Sequence, residues 1–229
     1  MVVDTILFGD CRETLKEFDG KARTCVTSPP YYGLRDYGGE DKQIGQEESP
    51  EEYIQNLVEV FRSVRDVLTD DGTLWVNIGD SYYNYRPGKG QALPKQSVSK
   101  TKQDLPDKCA KRGNKLQGLK EKDLIGIPWM LAFALRADGW YLRQDIIWHK
   151  PNPMPESVKD RCTKSHEYIF LLSKNRKYYY NNEAIKEPVK QDWGTRDRSK
   201  GKYHNSGTGL VPHSGLSKSY DRKNKRDVW

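Results

Sequence analysis

The sequence predicts an α/β fold in which an open sheet carries helices on both faces, and three observations support it. Short β-rich segments alternate with segments of helical periodicity along most of the chain. The 229 residues, 35% of them hydrophobic, are enough to bury a core. Several β-rich segments end in a polar turn, and in α/β sheets ligands bind beyond the carboxyl ends of the strands.

The N-terminal part predicts two strands with a short helix between them. Val2–Phe8 is β-rich and predicts a strand that ends at Gly9-Asp10. Thr14–Phe18 predicts the helix, and Ala22–Thr27 predicts the second strand. That strand must stop at Ser28-Pro29-Pro30, because consecutive prolines cannot donate to a ladder.

A long helix and a buried strand follow. Ser49 and Pro50 supply a capping serine and a proline at the first helical position. Apolar side chains then recur with helical spacing as far as Leu68. The turn at residues 70–72 is predicted to end this helix. Thr73–Ile78 predicts a buried strand, and the polar pair Gly79-Asp80 comes directly after it.

The second half begins with a segment that lacks an apolar pattern. Residues 84–122 hold four glycines, three prolines and many lysines, which predicts a flexible insertion. Asp123 is predicted to cap a helix over Leu124–Ala137. Tyr141–His149 and Glu167–Leu172 predict two further strands.

Positive charge is confined to two segments, although the net charge is only +7. Residues 84–122 carry eleven basic and three acidic side chains, and residues 174–229 carry fourteen and six. The rest of the chain is acidic overall. Solvated loops are often charged, but segregation on this scale favours a surface that binds a polyanion, nucleic acid above all.

Composition argues against several other classes of protein. The four cysteines form no CxxC pair, and the four histidines complete no zinc pattern with them, so reduced thiols and no metal site are expected. No apolar run is long enough for a membrane span, and no secretory signal is visible. We therefore expect a cytoplasmic protein without a membrane partner.

The stretch from Thr27 to Tyr31, Thr-Ser-Pro-Pro-Tyr, carries the chemistry. An exocyclic amino nitrogen of a base is a poor nucleophile, because its lone pair is delocalised into the ring. The Ser28 hydroxyl and the Pro29 carbonyl oxygen can accept its two hydrogens and draw it toward tetrahedral geometry, with Pro30 stiffening the backbone. Tyr31 can stack on a base that has left the duplex. Such a reaction needs no covalent intermediate and no metal.

These residues resemble the catalytic motif of amino-methylating DNA methyltransferases, the N4-cytosine/N6-adenine family. The resemblance covers most of residues 5–173. Its segments are Gly9-Asp10-Cys11, residues 27–37, the strand at 71–80, Trp148–Pro155 and His166-Glu167-Tyr168. It implies an open Rossmann-like methyltransferase sheet, S-adenosylmethionine as cofactor, double-stranded DNA as substrate, base flipping and a place in restriction-modification. In this family, serine before Pro-Pro-Tyr usually accompanies cytosine-N4 methylation.

The resemblance also implies roles for residues outside the catalytic motif. Asp10, with Cys11, Thr27 and Ser28, would lie at the cofactor, although a turn aspartate that satisfies local amides explains Asp10 equally well. His166 is given no catalytic role. Residues expected to contact DNA are Arg35, Asn152, Arg161, Arg196, Arg198 and Lys200.

One family feature is missing from the sequence. A glycine-rich loop, roughly Phe-x-Gly-x-Gly, cradles the methionine part of the cofactor in this family, and no such motif occurs in residues 1–229. In the family's β arrangement it follows the target-recognition region. We therefore expect a catalytic region at 1–173 and a target-recognition segment at 174–229, with a disordered basic tail as the alternative. A second chain or a C-terminal continuation would complete the pocket.

Three alternatives remain open at this point. Adenine-N6 methylation is the nearest, because the serine rule has exceptions. A DNA-binding remnant that has lost catalysis is the second. A glutamine or RNA methyltransferase is the third, but those enzymes normally keep asparagine before the two prolines, and Ser28 counts against them.

Overall fold

The computed structural model describes residues 4–34, 43–83, 116, 118–189 and 221–229, with the backbone alone of 196–197 and 216–217. Internal contacts divide the chain into two compact units. The first is Met1–Tyr179 with Val228–Trp229, and the second is Tyr180–Asp227. The predicted boundary at residue 173 stays a prediction, because compactness alone does not assign a function to either unit.

The first unit is built on a mixed four-stranded sheet. Its strands are β1 (Ala22–Thr27), β2 (Leu68–Ile78), β3 (Tyr141–His149) and β4 (His166–Ser173). Their order across the sheet is β1-β2-β4-β3, with β1 and β2 parallel and β4 antiparallel to both of its neighbours. The predicted α/β class is confirmed, as are the strands expected at 22–27 and 141–149.

The described part of the first unit contains three helices. They are α1 (Cys11–Glu17), α2 (Pro50–Val67) and α3 (Ile127–Ala137). Helices on both faces were expected, but two of them, α2 and α3, share a single core with the sheet. That core joins α2, α3, β2 and β4 through Tyr53, Leu57, Phe61, Leu74, Val76, Ile78, Leu131, Leu135, Phe170 and Leu172.

Helix α2 begins as predicted, but the strand after it begins earlier than expected. The Ser49 hydroxyl accepts the N–H of Glu52 at 3.2 Å, and Pro50 occupies the first turn. Strand β2 starts at Leu68 and includes residues 70–72, where a turn was predicted. The register with β1 shifts between Ala22 and Thr24, so a bulge absorbs the turn-forming residues.

Helix α3 begins three residues later than predicted, with a different cap. Its N-cap is Gly126, whose φ of 89° is a conformation that glycine adopts without strain. The Asp80 carboxylate accepts the N–H groups of Gly126 and Ile127 at 3.0 and 3.1 Å. Asp123, the predicted cap, instead accepts the N–H of Lys120 at 2.8 Å. The cap therefore comes from a residue distant in sequence.

The strand predicted over Val2–Phe8 is wrong for its described part, residues 4–8, which pair with no described strand. Ile6 and Phe8 are 77% and 88% exposed. Strand β1 ends the sheet on this side, and its Val26 is 76% exposed. A β-rich segment pairs only where a neighbouring strand offers its edge, and none of the described strands pairs with residues 4–8.

Most of the predicted insertion at 84–122 lies outside the described residues, but its two ends are held together. Tyr83 N–H donates to the Asp123 carbonyl, and Lys122 N–H donates to the Tyr83 carbonyl, both at 2.8 Å. The Tyr83 hydroxyl also accepts the N–H of Leu116 at 3.0 Å. The residues that flank the insertion are therefore held side by side by backbone hydrogen bonds.

The second unit contains short elements only. They are α4 (Asn182–Ile185) and the two-residue strands β5 (Glu187–Pro188), β6 (Arg196–Asp197), β7 (Leu216–Ser217) and β8 (Arg222–Lys223). Strand β5 pairs with β8, and β6 pairs with β7. After this unit the chain rejoins the sheet, where Trp229 exchanges backbone hydrogen bonds with Ile147 and His149 at 2.9 Å. Its ring lies 6.1 Å from that of Trp75.

The described residues were also searched for membrane-spanning helices, metal-binding clusters and disulfides. None of their helices combines the length and the apolar character that crossing a membrane requires. Searched over the same residues, no cluster of three or more His, Cys, Asp or Glu side chains could hold a metal ion. Cys11, Cys25 and Cys162 are free thiols.

Candidate active site

Four strand ends meet at one rim of the sheet. Ser28-Pro29-Pro30 follows β1, Gly79-Asp80 follows β2, and Lys150 follows β3. Because β4 runs antiparallel to β2 and β3, its start lies at the same rim and brings Glu167 there. Of the three polar strand ends predicted to converge, Ser28–Tyr31 and Gly79-Asp80 lie together at this rim, whereas Gly9-Asp10 follows no described strand.

The two prolines are held in place by helix α2. Pro29 is buried, and the Pro30 carbonyl oxygen accepts a hydrogen bond from the Tyr53 hydroxyl at 2.7 Å. Tyr53 is itself fully buried in the core. The Pro29 carbonyl oxygen, the predicted acceptor, receives no hydrogen bond from any described residue. The loop after β1 is therefore fixed, while the expected acceptor is left available.

Tyr31 is half-buried, and its hydroxyl is the centre of a polar network. It donates to Glu167 Oε2 at 3.0 Å and accepts from Asn77 Nδ2 at 3.2 Å. The hydroxyl of Ser28, an exposed residue, donates to the Tyr31 hydroxyl oxygen at 3.5 Å, the long end of hydrogen-bonding distance. Burial above all, with the charge of Glu167, raises the pKa of the Tyr31 hydroxyl. Tyr31 is therefore a neutral phenol at physiological pH.

Glu167 connects this network to the neighbouring strands. Its Oε2 also accepts from Asn77 Nδ2 at 3.1 Å, and its Oε1 forms an ion pair with Lys150 Nζ. Burial acts to raise the pKa of Glu167, but hydrogen bonds from Lys150, Asn77 and Tyr31 together lower it below its ordinary value. The side chain is therefore a charged carboxylate at neutral pH.

The Tyr31 ring rests against Gly79. A Cβ atom at residue 79 would lie 2.7 Å from Tyr31 Cε2, closer than side-chain contacts allow. The absence of a side chain at Gly79 thus creates the space that the ring occupies. The ring and its hydroxyl are fixed by different groups, which leaves Tyr31 little freedom to move.

Asp80, at the same rim, has a structural role. Its carboxylate caps α3, and its carbonyl oxygen accepts from Lys164 Nζ at 3.1 Å. Burial lowers the pKa of Lys164 despite the nearby carboxylates. Lys164 adds positive charge behind the rim.

The residues predicted to lie at the cofactor are at the ends of β1 and α1. Asp10 caps α1 by accepting the Arg12 N–H at 2.9 Å, and it forms an ion pair with the Arg12 guanidinium. Cys11 is exposed as a residue, but partial burial of its thiol, together with the negative charge of Asp10, raises its pKa. Thr27 is the last residue of β1. The capping role of Asp10 is present in the structure, whereas its cofactor role stays a prediction.

The residues predicted to contact DNA are only partly described. Asn152 is exposed in the segment after β3. Arg161 is already paired, with Glu156 at 2.5 Å and with the Tyr82 ring, whose centre is 4.0 Å away. Arg35, Arg198 and Lys200 lie outside the described residues, as does the side chain of Arg196. All six assignments stay predictions.

Sequence reasoning missed three members of the network: Asn77, Lys150 and Glu167. Asn77 is a polar residue in the otherwise apolar end of β2, which was a usable signal. Glu167 was predicted to begin a strand and belongs to a segment that resembles the family, but no role was assigned to its side chain. His166 pairs with His149 and lies edge-on to Tyr168, 5.4 Å away, and it makes no described contact with the network.

Comparison with known protein families decides the family. The family model described as DNA methylase, of the N6/N4 methyltransferases, matches residues 22–229. The chain belongs to this family. It is 55% identical over 190 residues to the type II methyltransferase M.SmaI of Serratia marcescens. It is 52% identical over 195 residues to M.Cfr9I of Citrobacter freundii.

These alignments cover most of this chain but only part of the relatives. They span 80% and 85% of the chain, against 60% and 62% of the two relatives. Among solved structures, the PvuII DNA methyltransferase, titled cytosine-N4-specific, superposes with a TM-score of 0.51 at 17% identity. That match covers 77% of this chain and 51% of the other, and it confirms the Rossmann-like methyltransferase fold.

Proposed function

We propose that this chain is the catalytic part of a DNA methyltransferase that transfers a methyl group from S-adenosylmethionine to cytosine N4. The observation that carries the proposal is the rim built from Ser28, Pro29 and Tyr31. The exposed Ser28 hydroxyl and the Pro29 carbonyl oxygen, which receives no hydrogen bond from a described residue, are two acceptors on adjacent residues. They suit the two hydrogens of an amino group.

The rim would act on a base that has left the duplex. Ser28 and Pro29 would accept the amino hydrogens, and the partly exposed Tyr31 ring would stack on the base. The amino nitrogen would form a C–N bond as the S–C bond of the donor breaks with its electron pair left on sulfur, and one proton would pass from the nitrogen to solvent, giving a neutral methylamino group. Tyr31 would stack without reorganising, because its hydroxyl is already held by Glu167 and Asn77.

S-adenosylmethionine would supply the methyl group, and the described residues fit one side of it. Asp10 and Ser28 carry exposed oxygens that can bind polar groups of a nucleoside. Val26 of β1 is exposed, and so are Ile6 and Phe8 before α1, as expected if a further segment packs on apolar surface of this chain. We propose that a C-terminal continuation or a second chain covers this surface and completes the pocket.

DNA binding would use the segments that carry the positive charge. Residues 84–122 and 174–229 hold 25 of the 39 basic side chains of the chain. If they hold phosphates, the logarithm of affinity should fall by about 0.9 for each log unit of salt and each phosphate neutralised. An affinity that does not change with salt would remove this role.

The experiment for this function is a methyl-transfer assay followed by nucleoside analysis. The 229-residue chain is incubated with duplex DNA and labelled S-adenosylmethionine, alone and with the glycine-loop segment of a relative supplied in trans. Digestion to nucleosides and mass spectrometry should show N4-methylcytosine. Ser28→Ala should remove the label, because one of the two acceptors is lost.

The same assay separates the rival functions. N6-methyladenine as the product would establish adenine specificity, which the occasional exceptions to the serine rule allow. DNA binding without methyl transfer, with and without the added segment, would identify a non-catalytic remnant. Label on protein or RNA but not on DNA would identify the third class.

A further inference from the structure

The hydrogen bonds at the Tyr31 hydroxyl can run in one direction only. Glu167 is a carboxylate and accepts, while the Asn77 amide nitrogen donates. That nitrogen also donates to Glu167 Oε2 at 3.1 Å, and this fixes the amide, because its oxygen would repel the carboxylate in the opposite orientation. Tyr31 therefore gives its single hydrogen to Glu167 and can only accept from its other neighbours.

This direction determines which way the Ser28 hydroxyl points. Ser28 Oγ lies 3.5 Å from the Tyr31 oxygen, which can offer it only a lone pair. A hydrogen bond between these two hydroxyls, which at 3.5 Å would be a long one, can therefore run only from Ser28 to Tyr31, and it leaves the lone pairs of Ser28 for a group outside the network. Ser28 is exposed, so such a group can reach it. An amino group, which presents hydrogens, is the matching partner.

We propose that Glu167 is a positioning residue for methyl transfer. It accepts the last of two hydrogen bonds that run in one direction, from Ser28 to Tyr31 and from Tyr31 to Glu167, and in this way it keeps the Ser28 oxygen an acceptor. The inference rests on the proposed function of the rim. Glu167 touches neither base nor cofactor and acts only through Tyr31. Without the Glu167 carboxylate these hydrogen bonds have no fixed direction, and Ser28 can turn its hydrogen toward the amino group.

Two features make Glu167 suited to this role. Lys150 pairs with its other oxygen, which keeps the side chain charged and oriented, and only 16% of the side chain is exposed. In addition, the network joins the loop after β1 to β2, to β4 and to the residue after β3. A carboxylate held from several sides keeps its direction without reorganising during the reaction.

Glu167→Gln tests the proposal because it keeps the shape and reverses the polarity. Lys150 can only donate, so it draws the new amide oxygen and leaves the amide nitrogen facing Tyr31. Tyr31 must then give its hydrogen to Ser28. The variant is compared within an Asn77→Ala background, because a turned Asn77 amide could otherwise offer its oxygen to Tyr31. We expect kcat to fall by about 100-fold with KM for DNA changed less than about threefold.

Two further variants separate positioning from plain structural support. In a Tyr31→Phe background, which has no hydroxyl, Glu167→Gln should lower kcat less than about twofold further. Asp160→Asn is the matched control, since Asp160 also pairs with a lysine, Lys122, at 2.7 Å but lies outside the network. It should leave kcat unchanged. Unchanged kcat in Glu167→Gln, or an equal loss with and without the Tyr31 hydroxyl, would overturn the proposal.

A second measurement does not depend on methyl transfer. NMR titration of chains labelled at the tyrosine ζ carbon follows the Tyr31 pKa, with Tyr31→Phe assigning the signal. Glu167→Gln should move this pKa down toward 10.0, because a neighbouring negative charge and its hydrogen bond are removed. An unmoved pKa would overturn the inference even if the enzyme is active. Absence of methyl transfer by the completed wild type would instead count against the proposed function.

Discussion

The two sides of the rim differ sharply in how much of their surroundings this chain supplies. On one side, Tyr31, Asn77 and Glu167 form a network closed by Lys150 and by Gly79. On the other, β1 pairs with β2 alone among the described strands, its Val26 is exposed, and so are the apolar residues Ile6 and Phe8 before α1.

The chain therefore builds the two halves of its candidate site by different means. The side that would hold the base is preorganised by interactions within the chain, so it needs no partner to take shape. The side that would hold the cofactor contains Asp10, which caps α1, and the exposed Ser28, but no described element of the chain covers them. If this difference is real, the cofactor side requires a further segment for activity, whereas the base side does not.

The largest expected effect comes from completing the open side. Adding the glycine-loop segment of a relative, fused or in trans, should raise methyl transfer by about 100-fold, since misplaced reactants lose factors of this size. The rate is measured as label transferred to DNA. Robust turnover by the 229-residue chain without any addition would remove the distinction between the two sides.

Gly79→Ala should perturb the closed side most strongly among single changes. The new methyl group would lie 2.7 Å from the Tyr31 ring, which cannot retreat because its hydroxyl is held. We expect unfolding to become easier by about 1–3 kcal/mol, measured by urea denaturation. Gly20→Ala is the matched control: its methyl group would lie 2.5 Å from Phe18, but that ring is 38% exposed and free to swing away. Equal losses in the two variants would show that Tyr31 is not held.

Asp80→Ala should cost less than the glycine substitution. It removes the carboxylate that accepts the first N–H groups of α3, and loss of a cap typically costs about 1–2 kcal/mol. Thermal unfolding measures the change. Asp123→Ala tests the cap predicted from sequence and should have the smaller effect, because its carboxylate accepts only the Lys120 N–H. A larger loss of stability in Asp123→Ala than in Asp80→Ala would instead support the cap predicted from the sequence.

The contribution of Glu167 to stability should depend on pH in one direction. Its pKa in the folded chain lies below the ordinary value of 4.5, so its carboxylate stabilises the fold above that pH. The stability difference between wild type and Glu167→Gln, at most about 1 kcal/mol, should be constant near neutrality. It should shrink as the pH falls below 4.5 through the folded pKa. A difference that grows in acid would mean that the pKa is raised instead.

The smallest effect on folding is expected at the open edge. Val26→Lys should change stability by less than about 0.5 kcal/mol, because the side chain is 76% exposed. It should nevertheless weaken association with the added segment, measured by titration calorimetry. Leu124→Lys, at an exposed position away from β1, serves as the control. Equal association in both variants would mean that the edge is not the docking surface.

The sequence allowed most of the fold to be predicted where local signals and packing agree. The capping Ser49 and the apolar periodicity of α2 specify the same helix that the core requires. Prediction failed where a distant partner decides the outcome. Asp80 caps α3 across 46 residues, a relation that no local pattern shows. Residues 4–8 have high β propensity, but no described neighbour pairs with them.

The sequence predicted the residues at the centre of the candidate site but not the residues that hold them in place. Ser28, Pro29 and Tyr31 follow one another in the chain, so a motif reveals them. Asn77 and Glu167 reach Tyr31 from two other strands, and only the β2–β4 register brings them together, with Asn77 opposite Ile169. Such a network is a property of the tertiary structure.

The return of Trp229 to β3 has a practical consequence. The chain leaves the sheet after Tyr179, whose N–H donates to the Asp71 carbonyl at 3.0 Å, and it comes back at Val228 and Trp229. Residues 180–227 are thus anchored on both sides by backbone hydrogen bonds, from Tyr179 to Asp71 in β2 and from Trp229 to Ile147 in β3. Because neither anchor uses a residue of 180–227, we expect that exchanging this segment between related chains will leave the pairing of the four-stranded sheet intact.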